Sequence, residues 1–253
     1  MWGDADIRAS RLGTVYEHGD EDDILHLVEL AEPSGDDIAL DLVTGLGHVA
    51  RALAPRVARV DALDPDGEML REAESLAREH SLTNMSFIEA DPTSLPCESG
   101  SYDIVTARMA LRHLGDGVQF VREVHRVIKP TGRFLITDSL APPHADLESF
   151  QKNLMSIRDP SHVKSYSLAE LEGLLERESF DIDLIEIYPK EHDFDSWAKR
   201  LGADHDIVRM IAKMLQSASA RAKRHFRVVE KADDLVSFVT WMILVRARPA
   251  LES

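Results

Sequence analysis

Residues 40–48 read Leu-Asp-Leu-Val-Thr-Gly-Leu-Gly-His. An apolar run that ends in a glycine-rich turn and passes into a helix at about His48 or Val49 does two things. It lets the main chain approach a ligand closely, and it presents the free N–H groups of a helix start. The spacing Gly45-x-Gly47-x-x-Ala50 also fits the dinucleotide fingerprint. Three more apolar runs end in polar residues. VARVDAL (57–63) runs into Asp64-Pro65, MSFIEA (85–90) into Asp91-Pro92, and YDIVTA (102–107) into Arg108-Met109. A carboxylate at Asp64 can accept two ribose hydroxyls, and one at Asp91 can accept from an exocyclic amine such as that of adenine. Either acid alone reads as a surface cap. With the glycine turn, they put polar or glycine-rich turns at four successive strand ends, on the sheet edge where ligands bind.

These ends need a scaffold that brings them to one edge. The runs IALDLV (38–43), VARVDAL, MSFIEA, YDIVTA and RFLITD (133–138) alternate with helical stretches. Helical periodicity is clear over 66–80 (Met69, Leu70, Ala73, Leu76, Ala77) and over 117–128 (Val121, Val124, Ile128). Such alternation predicts βαβ units: an α/β fold with a mostly parallel, Rossmann-like sheet and helices on both faces. An earlier helix is expected over 22–31, and Lys129-Pro130-Thr131-Gly132 is expected to stop the helix before RFLITD, with Gly132 free to take positive φ.

Beyond Asp138 the chain becomes loop-like. A helix is expected at 145–157, and Ser167 with Glu170 forms a capping box for one at 168–178. Strands are expected at 181–188 and 235–248, an antiparallel pair with a helical insertion at 193–226. The insertion carries an apolar stripe of Ile207, Val208, Ile211, Met214 and Leu215. That stripe must bury against something: either the 141–165 and N-terminal segments, as a roof over a pocket, or a second copy in a homodimer.

The bulk numbers narrow the function classes. The chain has 253 residues, 44% of them hydrophobic and 29% charged, which is ordinary globular composition. One cysteine, Cys97, allows no internal disulfide. The start of the chain shows no basic-then-apolar leader and no apolar run reaches membrane-spanning length, so a soluble cytoplasmic protein is expected. The net charge of −16 disfavours nucleic acid and anionic membranes as partners. The histidines show no metal-ligand spacing, so no metal site is expected.

The segments LDLVTGLGHVA, VDALDPDGEMLREA, FIEADPTSLPCESGSYDIVTARMALRHL and VHRVIKPTGRFLITD resemble, in order and spacing, the class I S-adenosylmethionine-dependent methyltransferases. The resemblance is closest to the ubiquinone and menaquinone C-methyltransferase-like branch, and within it to small bacterial members of undefined substrate. It spans about residues 10–248. It implies a seven-stranded sheet with one antiparallel strand, helical cap segments and S-adenosyl-L-methionine as cofactor. By that resemblance Asp41, Thr44, Gly45 and Gly47 lie along the methionine end, Asp64 with Pro65 holds the ribose, and Asp91 with Pro92 lies at the adenine. Arg108 and Met109 line the pocket, and Tyr16 and His18 belong to an N-terminal segment folded over the cofactor. The implied organisation is cap helices over 1–35, a cofactor-binding core over 36–140, a cap segment over 141–165, and the rest of the core over 166–253. Val43 stands where the family has its first glycine. Valine is bulkier and stiff at χ1 and could crowd the methionine site, but Gly45 and Gly47 are expected to keep close approach open, so Val43 is expected to be tolerated. Thr131 replaces a glycine of the family turn, a change expected to be harmless.

Methyl transfer from a sulfonium mainly needs nucleophile, methyl and sulfur held in line. An acceptor that must lose a proton also needs a base. His113 is the first choice, because an unperturbed histidine titrates near neutral pH, followed by His162 and Asp138. Arg112, Arg158 and Asp159 lie in the same two segments. The expected function is methylation of a small-molecule acceptor at carbon or oxygen. The rivals are a non-catalytic binder of the same cofactor, suggested by Val43, and a nicotinamide-dependent oxidoreductase using the same glycine turn.

Overall fold

The computed structural model describes residues 13–14, 22–199, 204–231 and 234–250. Tyr16 and His18 lie outside the described residues. The sheet is built from β1 (Gly13–Thr14), β2 (Ile38–Leu42), β3 (Arg59–Asp64), β4 (Met85–Glu89), β5 (Tyr102–Arg108), β6 (Ile128–Ser139), β7 (Phe180–Asp193), β8 (Val229–Lys231) and β9 (Asp234–Pro249). The helices are α1 (Asp22–Leu30), α2 (His48–Leu53), α3 (Gly67–Glu79), α4 (Gly117–Val127), α5 (Ala145–Arg158), α6 (Leu168–Arg177), α7 (Phe194–Lys199), α8 (His205–Gln216) and α9 (Ala220–His225).

The strand order is β1-β7-β9-β6-β5-β2-β3-β4, with β8 paired to β9. Seven strands are long, and β9 alone among them runs antiparallel to its neighbours β6 and β7. Alternate side chains fill two cores. Leu40, Leu42, Val105, Ala107, Phe134 and Ile136 enter one; Ala39, Val60, Ala62, Ile104 and Leu135 enter the other. Burial on both faces explains why these strands read as continuous apolar runs.

Local signals placed the helices well. The capping box of Ser167 and Glu170 is formed in both directions. Asp66, Asp116 and Asp204 cap α3, α4 and α8 through their side chains.

Four expectations need correction. The helix does stop ahead of Lys129–Gly132, at Val127, but the strand expected from Arg133 already begins at Ile128. The segment is absorbed at a register shift, where Tyr102 pairs with Ile128 but Ile104 pairs with Arg133. Gly132 does not take positive φ; a Cβ there would come within 2.5 Å of Ile128 Cγ1, so close approach is what requires glycine. The strand expected at 181–188 runs on to Asp193. Among its described residues the 193–226 insertion holds three helices, interrupted at 217–219, and β8 lies beyond it.

The insertion's apolar stripe is buried within the chain. Ile211 and Leu215 pack with Leu154 and Met155 of α5, Phe194 and Trp197 of α7, and Phe238 of β9. The 145–158 helix and the insertion thus share one small core above the end of the sheet. No helix among the described residues is long and apolar enough to cross a membrane.

Candidate active site

The strand order reverses between β5 and β2, since β3 lies on one side of β2 and β5 on the other. Loops leaving the carboxyl ends of such strands diverge and open a crevice. The glycine turn sits there. Val43, Gly45 and Gly47 take φ of +55°, +54° and +73°, and Gly47 is the N-cap of α2. Gly47 also packs tightly, since a Cβ on it would lie 3.3 Å from Ala73 Cβ. Around Gly45 the space a Cβ would take is open to 4 Å, which leaves room for a ligand against the backbone.

Val43 turns away from the open side of the turn and into the core. Its side chain packs against the core cluster containing Leu42, Leu63 and Ala107, and the cost falls on its left-handed backbone.

Asp41 is buried at the end of β2. Its Oδ2 accepts from Thr44 Oγ1 at 2.6 Å and its Oδ1 from Thr106 Oγ1 at 2.7 Å, the second across the β2–β5 register. Burial pushes its pKa up to about 6, against the pull of those two hydroxyls. Asp64 ends β3 and is equally buried. Its Oδ2 accepts from the Gly45 amide at 2.8 Å and its Oδ1 from the Asp66 amide at 2.9 Å. Each oxygen keeps a lone pair for a ligand hydroxyl. Pro65 beside it is exposed. Asp91 is exposed, and Thr93 donates to its Oδ1 through both N and Oγ1, which lowers its pKa. Pro92 is buried next to it.

A second hollow, a cavity of about 220 Å³, opens beyond the ends of β5, β6 and β7. Arg108 and Met109 reach it from β5, Arg112 and His113 from the short helical turn Leu111–His113, and Arg158 and Asp159 from the end of α5. Lys190, His192, Trp197 and Met242 complete much of the wall from the other side.

The cavity wall is cationic, and its charges are held by buried acids. Asp23, near the start of α1, accepts from Arg108 at 3.1 Å and from Lys190 at 3.0 Å. Arg108 is therefore committed in part to the fold. Arg112 stands 3.2 Å from Asp138 through Nε, and Asp138 Oδ2 also accepts from the Arg112 amide. Arg158 donates to the Trp197 carbonyl and stacks over its ring at 4.3 Å.

Of the three candidate bases, only His113 lies on the cavity wall. Asp138 is turned to Arg112 and to the Ser139 amide. His162 is buried beneath the wall, with Nε2 3.3 Å from Ser165 Oγ, and burial lowers its pKa. Sequence reasoning did not identify Asp23, Thr106 or Lys190. Lys190 did carry a signal, a charge just past the strand-like stretch Ile187-Tyr188-Pro189; Asp23 carried none.

The residues present fit the methionine, ribose and adenine ends of S-adenosylmethionine: an open glycine turn, a buried acid ending β3 and an exposed acid beyond β4. Comparison with known proteins agrees. A methyltransferase-domain family matches residues 40–136. The uncharacterized methyltransferase YcgJ of Bacillus subtilis is 34% identical over 233 residues, 92% of this chain and 91% of its own. The crystal structure of the Bacillus subtilis YcgJ protein superposes with a TM-score of 0.84 at 33% identity, covering 91% of this chain and 99% of that one. The ubiquinone/menaquinone biosynthesis C-methyltransferase UbiE of Rubrivivax gelatinosus is 34% identical over 115 residues, 46% of this chain and 44% of its own. The glycine turn, the strand-end acids and these similarities together show that the chain belongs to the class I S-adenosylmethionine-dependent methyltransferases.

Proposed function

We propose that the protein methylates a small molecule, at carbon or oxygen, in the cavity beyond β5, β6 and β7. The observation that carries this reading is the cavity itself: about 220 Å³, with Arg108 and Met109 in its wall at the end of β5, the strand that pairs with β2 and its glycine turn. A hollow of that size suits a metabolite, and the net charge of −16 works against a nucleic acid. Its wall sets Met109, Met155, Trp197 and Met242 beside arginines. That mixture suits an acceptor with a flat apolar body and a polar or anionic group. Similarity to a protein named for quinone C-methylation supports an acceptor of this kind.

In this reading S-adenosylmethionine supplies an activated methyl group. Asp64 and the glycine turn hold its nucleoside and methionine ends, and Asp91 faces the adenine. The cavity wall aligns the acceptor and excludes water, with His113 beside it as base. The methyltransferase fold sets the nicotinamide rival aside.

A cavity-blocking variant tests the proposal. Met155→Trp should leave S-adenosylhomocysteine affinity within about threefold while abolishing transfer of labelled methyl to small molecules of a cell extract, since alignment can account for ~7–11 kcal/mol of the barrier. Undiminished transfer in that variant would place the acceptor elsewhere.

A further inference from the structure

Two segments meet at one corner of the cavity. The loop after α5 docks on the Leu111–His113 turn, with the Val163 amide donating to the Arg112 carbonyl at 2.8 Å and the Lys164 amide reaching it at 3.3 Å. This brings Asp159 and Ser161 beside His113, although Ser161 is 48 residues away from it in the chain.

The contacts there have one consistent proton arrangement. Ser161 Oγ lies 2.6 Å from Asp159 Oδ1 and donates to it. A hydroxyl has one proton, so towards His113 Nδ1, at 3.0 Å, the same oxygen must accept. The Ser161 carbonyl lies 3.4 Å from the same nitrogen and can only accept. Both neighbours therefore require the proton on Nδ1. In a neutral ring Nε2 is then bare, and it makes no hydrogen bond among the described residues. The Ser161 amide also donates to Asp159 Oδ1 at 3.0 Å, closing a tight turn that fixes the hydroxyl in place.

Asp159 is suited to the end of such a chain. Burial alone would raise its pKa, but the two bonds from Ser161, then positive charge on His113 and on Arg112, hold it below the usual carboxylate value. It remains an acceptor at neutral pH.

We propose that Asp159 and Ser161 are positioning residues that fix His113 in the Nδ1–H tautomer, so that Nε2 faces the reaction as the proton acceptor. The inference rests on the methyl-transfer reading above. In the step, the proton on the acceptor's nucleophilic group passes to Nε2 and leaves an imidazolium. The electron pair freed on the acceptor forms its new bond to the methyl carbon, and the pair of the broken sulfur–carbon bond stays on sulfur. The imidazolium returns its proton to solvent through the open side of the cavity.

The test is the tautomer of His113 in the full chain. Nitrogen NMR of histidine-labelled protein with S-adenosylhomocysteine, with the signal assigned by its loss in His113→Gln, should show Nδ1 protonated and Nε2 bare. Ser161→Ala loses the 3.0 Å hydroxyl contact and keeps only the 3.4 Å carbonyl, so it should move the ring part of the way towards the Nε2–H form, and Ser161→Thr should restore it. Labelled-methyl transfer should fall by about 10²–10⁴ in His113→Gln, the usual worth of a positioned base, and by a smaller factor in Ser161→Ala. A wild-type ring protonated on Nε2 at neutral pH would overturn the proposal, even if Ser161→Ala failed to fold. A tautomer unmoved by Ser161→Ala would overturn it too. Failure of S-adenosylhomocysteine to bind would instead overturn the reading on which it rests.

Discussion

Asp64 Oδ2 accepts a hydrogen bond from the Gly45 amide at 2.8 Å, tying the end of β3 to the glycine turn that leaves β2. The acid expected to hold a ribose is thus also the acid that sets the turn. Asp64→Ala removes both functions. It should weaken S-adenosylhomocysteine by about 10–100-fold, and it should also lower the stability of the unliganded protein by ~1–3 kcal/mol, since two amides lose a buried acceptor. Calorimetric titration and urea unfolding report the two effects separately. Full stability with lost affinity would show that the turn stands without Asp64.

Val43 holds φ of +55° while packing on the core. A left-handed backbone costs a non-glycine residue about 1–2 kcal/mol. Val43→Gly removes that strain and some apolar contact, and adds backbone freedom worth ~0.5–1 kcal/mol in the unfolded chain. The net change in stability should be under about 1 kcal/mol, with S-adenosylhomocysteine affinity kept or raised. A variant that no longer binds would mean that the valine shapes the site directly.

Asp23 is shared by Arg108 and Lys190, so that a buried acid of α1 holds two cations of the cavity wall, from β5 and β7. Removing one partner of a buried ion pair costs about 3–5 kcal/mol. Asp23→Ala should show that loss in urea unfolding, and α1 should lose amide protection first. A loss below about 1 kcal/mol would show that the cations are adequately solvated without it.

His225 is buried, and neither ring nitrogen has a hydrogen-bond partner among the described residues. Burial lowers its pKa from 6.5 to about 4. The unfolded chain therefore takes the proton first as pH falls. The stability this group contributes is complete above about 6.5 and is lost as pH drops towards 4, on the order of 3 kcal/mol in all. His225→Phe should flatten the fall over that range. An identical pH profile in the variant would assign the acid sensitivity to other groups.

The parts of the site legible in the sequence were local ones. The glycine turn, Asp64 and Asp91 announce themselves because each lies where an apolar run stops, and the capping box of Ser167 and Glu170 is a four-residue signal. What stayed hidden depends on chain segments that meet only in the fold. Asp23 and Lys190 are 167 residues apart. Thr106 reaches Asp41 only because β5 and β2 are neighbours in register. The φ of Val43 is set by the turn around it rather than by its own preference. Lys129–Gly132 marked the end of the helix at Val127, but the strand's start at Ile128 stayed hidden because proline and glycine fit a loop and a bulge equally.

Transfer of methyl groups to small molecules is tested most directly by incubating the protein with labelled S-adenosylmethionine and a cell extract, then separating the extract by ultrafiltration. Label should appear in the filtrate, dependent on the protein and suppressed by excess S-adenosylhomocysteine. Label retained only with protein or RNA would contradict that transfer.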